Sequence, residues 1–158
     1  MTRSKQCQFY TTYTSTNCGT ALSVRSTVVQ LVRCREQRQQ TLDEFYEELL
    51  RSSNFIAKDC GKAMLDLIGG LRAWPESWKL WGQTDGYHLC LRPEDKLGPW
   101  LVRLLGHGKE YVIDYRMADK DAPWPGAIVS GEAKSLPEAI DRVRIAIDRS
   151  GGWPSQTF

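Results

Sequence analysis

The stretch from Ser135 to Arg149, SLPEAIDRVRIAIDR, admits one local structure and obliges the rest of the chain to supply a partner for it. Ser135 and Glu138 stand at the spacing of a capping box, in which each side chain satisfies an orphaned backbone N–H, and Pro137 falls in the first turn, where a missing donor costs nothing. Leu136, Ile140, Val143 and Ile147 recur at spacings of 4, 3 and 4 with Ala139 and Ala146 beside them, while Asp141, Arg142, Arg144 and Asp148 take the other side. Ser150, Gly151 and Gly152, followed by Trp153 and Pro154, stop the helix. A helix with one apolar stripe needs a sheet or another helix to bury it.

Residues 71–130 predict that sheet, because their period is two. Tyr87, Leu89 and Leu91 alternate with His88, Cys90 and Arg92; Trp100, Val102 and Leu104 with Leu101, Arg103 and Leu105; Tyr111, Ile113 and Tyr115 with Val112, Asp114 and Arg116. A strand is expected to start near Trp78, with turns at residues 82–86, 93–99 and 106–109, and a short last strand at 126–130. Upstream, Thr41 and Glu44 form a second capping box before Leu42, Phe45, Tyr46, Leu49 and Leu50, a helix running to about Arg51. Asn54 caps another, with an apolar side of Phe55 or Ile56, Cys60, Ala63, Met64, Leu67 and Ile68, which Gly69 and Gly70 are expected to end. The order predicts a two-layer α+β fold: two N-terminal helices, a four- to five-stranded antiparallel meander sheet, and the C-terminal helix packed on it. One sheet face is left open, and parity puts Asp114 and Arg116 on it beside His88, Cys90, Arg92 and Arg103.

At 158 residues the chain can bury one core without metal or disulfide staples. No apolar run approaches the roughly 18 residues of a membrane span. Cys7, Cys18, Cys34, Cys60 and Cys90 are odd in number and contain no Cys-x-x-Cys pair, which fits a reducing cytoplasm better than a disulfide framework. Residues 1–40 are rich in Ser, Thr and Gln. They read as a basic, disordered or loosely ordered tail in which only residues 21–34 could form a short strand or helix; residues 41–153 form the single domain, and 154–158 a second tail. The tail carries six basic residues against Glu36 alone, a net of +5, which leaves −3 for the body of a chain whose total is +2. That asymmetry weakens any inference from overall charge to nucleic acid.

Little in the sequence points to catalysis. His88 and His107 are the only histidines, and nucleophile-elbow, phosphate-loop, dinucleotide and HExxH motifs are absent. Convergence of Asp85, Asp114, Asp119, Asp121 and Glu132, with His88, would be needed for acid–base work. No cofactor or metal is predicted. Of the six tryptophans, Trp74, Trp78, Trp81 and Trp100 are expected to pack in the core. Trp124 differs, for it lies between Pro123 and Pro125 in a charged loop, an aromatic held at low entropic cost beside Asp119, Lys120 and Asp121. With Asp114 and Arg116 on the adjoining face, these six residues form the candidate protein-binding surface.

The segment WPGAIVSGEAKSLPEAIDRVRIAID, with Glu138 and Ala139 in its capped helix, resembles the strand–turn–helix end of HicB-type antitoxins. The whole element order is similar to that of small bacterial immunity proteins, which neutralise toxins and in which an acidic body facing a basic nuclease is recurrent. It also resembles the double-stranded-RNA-binding fold, but the lysine cluster of that family is replaced here by Leu136 to Glu138. These resemblances imply a small cytoplasmic binding protein that occludes a partner. A nucleic-acid-binding accessory protein using Arg92, Arg103 and Arg116 is the alternative, and a small enzyme the third.

Overall fold

The computed structural model describes residues 28–154. Its elements run β1 (Gln30–Arg33), α1 (Leu42–Leu50), α2 (Phe55–Arg72), β2 (Lys79–Asp85), β3 (His88–Arg92), β4 (Val102–His107), β5 (Glu110–Arg116), β6 (Ile128–Ala133) and α3 (Leu136–Ser150). A 3-10 turn at Arg35–Gln37 joins β1 towards α1. The helix starts follow local chemistry. Thr41 and Glu44 close a reciprocal capping box (2.7 and 3.1 Å), and Asn54 Oδ1 accepts from the N–H groups of Ile56 and Ala57. At α3, Ser135 Oγ accepts from the Glu138 N–H, but the Glu138 carboxylate takes the N–H of Lys134 instead of Ser135, so the expected box is half formed. Gly151, at φ 67°, ends α3 in the left-handed conformation.

The sheet is larger than the sequence suggests, and mixed. Six strands lie in sequence order, β2 to β6 antiparallel, with β1 added at the outer edge parallel to β2. A parallel neighbour requires a crossover, which α1 and α2 provide. Residues 29–40 therefore belong to the fold: Val29, Leu31 and Cys34 are buried, and the Arg33 guanidinium donates to the carbonyls of Gln40 and Thr41 and to Thr84 Oγ1. Four residues, one of them arginine, carry too weak a pattern to be separated from a tail. Residues 1–27 and 155–158, including part of the 21–34 segment, lie outside the described residues.

All three helices pack on one face, α2 over β4 and α3 over β5, around Met64, Leu67, Leu80, Leu89, Leu104 and Ile147. Glycines placed as punctuation turn out to lie inside elements, three of them at close contacts. Gly69 and Gly70 lie inside α2, with Gly70 against Ile140 of α3; Gly82 lies inside β2 beneath Leu42; Gly106 lies inside β4 against Ala63. The hairpin turns accordingly fall later, at residues 86–87 and 108–109, and the last strand is β6 rather than 126–130. Among the described residues, no helix is long and apolar enough to cross a membrane.

Candidate functional site

The 117–127 loop leaves β5 and returns to β6 under restraint at both ends. Met117 N–H donates to Ala127 O, Ala118 N–H to Arg149 O at the end of α3, and Ala127 N–H to Trp124 O. Gly126, at φ 75°, closes this last turn. Pro123 and Pro125 fix φ on either side of Trp124, a residue 67% exposed. Asp119, Lys120 and Asp121 stand exposed on the preceding turn, and Ile128, 50% exposed, follows at the start of β6. Trp124 and these three charged residues thus share one exposed loop, with Ile128 next along the chain.

The other two residues assigned to this surface behave differently. Register places Gln83, Cys90, Arg103, Asp114 and Ser130 in one row across the open face of β2 to β6. Asp114 is only 8% exposed. Its carboxylate accepts two hydrogen bonds from Arg103 (2.6 and 3.0 Å) and one from Ser130 Oγ (2.6 Å), so it is an internal tie between three strands and not a free rim charge. Arg116 is half-buried, and its guanidinium and that of Arg103 both lie over Trp100, at 4.8 and 4.7 Å from the ring centroid. Trp81 is covered in the same way by Lys79 and Arg38. Trp81 and Trp100 are therefore open-face residues, while Trp78 is buried and packs edge-on against half-buried Trp74.

Half of the nominally open face is roofed. The 93–100 loop folds back over β2 and β3, held by Gly98 N–H on Gln83 Oε1 and by Asp95 on the Arg35 N–H and the Arg38 guanidinium. Cys34, Cys90 and Arg92 are buried beneath it. Gly98 lets the loop backbone lie against the Arg92 guanidinium, whose Nε and Nη1 make no hydrogen bond. Burial raises the Cys34 thiol above its ordinary value and pushes the Cys90 thiol to about 11, with Asp85 adding to the effect; burial pushes Cys60 to about 11 as well. All three are neutral thiols at physiological pH and poor nucleophiles.

The carboxylates do not converge. Asp85 and Glu132 lie on β2 and β6, four strands or about 19 Å apart, and Asp119 and Asp121 lie on the loop beyond β5. His107 sits 3.3 Å from Asp59, and His88 Nδ1 lies 3.3 Å from Asp85 O. Among the described residues, no group of three or more His, Cys, Asp or Glu side chains is placed to hold a metal ion. Sequence reasoning missed two apolar features. Phe55 and Ile56 are 75% and 56% exposed at the start of α2, because the buried stripe begins only at Ala57. A groove of about 430 Å3 runs between α3 and β6, lined by Tyr115, Val129, Gly131, Arg142 and Ile145. Neither a family model nor a curated protein nor a solved structure matches this chain.

Proposed function

We propose that the chain is a non-catalytic binding protein of the antitoxin or immunity kind, which acts in the cytoplasm by occluding a protein partner such as a nuclease toxin. The observation that carries this reading is Trp124, a large exposed aromatic side chain presented on a proline-framed turn, on the same exposed loop as Asp119, Lys120 and Asp121. An exposed, conformationally restrained tryptophan loses little entropy on binding and buries a large area, the profile of an interface hot spot. The three buried thiols fit a reducing compartment. The acidic balance of residues 41–158 suits a basic partner. Nucleic acid is the weaker reading, because Arg103 is engaged by Asp114, Arg38 by Asp95, and Arg92 is buried, so few cations of the open face remain for phosphates.

The test is capture of a partner from cells by the full chain and by W124A, with thermal unfolding run on both. Trp124→Ala should weaken binding by about 2 kcal/mol or more while leaving the unfolding midpoint nearly unchanged. A large drop in that midpoint would make Trp124 a packing residue. Salt-sensitive retention of duplex or single-stranded nucleic acid, independent of Trp124, would favour the open-face reading instead.

A further inference from the structure

We infer that β6 and α3 together form a two-fold interface with a second copy of this chain, in which β6 pairs antiparallel with its counterpart and extends the sheet. This goes beyond the partner-binding reading and does not use Trp124. Among the described residues, β6 ends the strand order and pairs with β5 alone, so none of them pairs with its outer edge. Free edges are ordinarily protected by charge, proline or a covering element, yet Ile128–Gly131 carries no charge, and its Ile128 and Val129 are 50% and 36% exposed. Beside this edge, Ile145 of α3 is 54% exposed and faces the groove shared with Val129, Ser130 and Gly131. The middle of the strand and the exposed apolar residue of the helix therefore stand at the same level, where one axis can pass by both.

The charges of α3 indicate what covers this surface. Residues three and four positions from Ile145 share its face: Asp141 and Arg142 before it, Asp148 and Arg149 after it. Laid antiparallel against itself about Ile145, the helix sets Asp141 opposite Arg149 and Arg142 opposite Asp148, and symmetry makes each pair twice. Every juxtaposition is of opposite sign. Within the chain, Arg142 also pairs with Glu138 (2.7 Å), and Arg149 shares a depression with Lys120 and Asp121, whose charges offset each other. Distances agree as well. With α3 seated over β5, three strand spacings separate the two copies of the helix by roughly 14 Å, a gap that arginine–aspartate pairs reach. The 15 residues of α3 and the six of β6 both run about 20 Å, so helix and strand can engage along the same length of interface.

Sedimentation velocity on the full chain across a concentration series tests this, with circular dichroism to confirm that each variant is folded. The native chain should move towards a species of twice 18.0 kDa as concentration rises. Asp141→Arg and Arg149→Asp, both exposed substitutions, should each weaken association about tenfold or more by setting like charges opposite one another. The double variant, in which both 141–149 pairs are restored with their signs reversed and the Arg142–Asp148 pairs are untouched, should regain the native affinity. A chain that stays monomeric at all concentrations overturns the proposal. So does a dimer indifferent to both single changes, or one that the double change fails to restore. None of these outcomes depends on whether the Trp124 turn binds a partner.

Discussion

A tryptophan presents eight ring carbons and one N–H, so its destination is decided by what surrounds it. Trp78 has the core beside it and is buried, whereas Trp81 and Trp100 lie on the other face and are covered by Lys79 and Arg38, and by Arg103 and Arg116. Spacing alone cannot separate these outcomes, because cations can cover a ring on the solvent side as apolar neighbours cover one in the core. Strand parity was more informative: with Tyr111 and Ile113 inward, the Arg103–Asp114 pairing and the position of Cys90 beside it follow from the alternation. What parity could not convey is the 93–100 loop, a non-periodic segment that buries Cys90 and Arg92 from above. That burial has a measurable consequence for the thiols. Cys34, Cys60 and Cys90, all buried and all with raised pKa, should resist maleimide labelling at neutral pH and become reactive only on unfolding, as followed by mass spectrometry of each site. Rapid modification of Cys90 in the folded chain would mean that the loop opens readily.

At the scale of elements, helix starts were legible because capping is local: Thr41, Asn54 and Ser135 each sit where their side-chain oxygen meets a free N–H. Helix ends were less so, since glycine serves both to stop a helix and to let another element approach. α2 holds a crowded and an uncrowded glycine within one helix, and neither ends it. A Cβ on Gly61 would lie 2.7 Å from Tyr46 O and 3.0 Å from Leu49 Cβ, where α1 crosses, and backbone cannot retreat cheaply; a Cβ on Gly69 would meet nothing within 4 Å. Gly61→Ala should therefore destabilise the protein by about 1 to 3 kcal/mol through overpacking. Gly69→Ala should stabilise it by about 0.5 to 1 kcal/mol through helix propensity. Denaturant titration of the two variants reads both. Equal and favourable effects would show that α1 does not press on α2 at Gly61.

For the whole molecule, the decisive feature is β1, the strand that turns a meander into a mixed sheet and gives α1 and α2 their role as a crossover. The meander and its helical cover could be read from period and capping, but a parallel edge strand pairs with a partner 49 positions away, and no local pattern encodes such a contact. Its energetic weight is nevertheless predictable. Val29 and Leu31 are 3% and 5% exposed, and removing them forfeits about 3 to 6 kcal/mol of burial. Arg33 adds a clamp from the sheet to the start of α1 through Gln40, Thr41 and Thr84. A chain beginning at Gln39 should then unfold roughly 10 °C or more below one beginning at Val28. It should also expose Leu42 and Leu80, on the helix and the strand that β1 joins, detectable as binding of a hydrophobic dye. Equal midpoints for the two truncations would place β1 outside the cooperative unit, and with it the reason for α1 and α2 to cross the sheet at all.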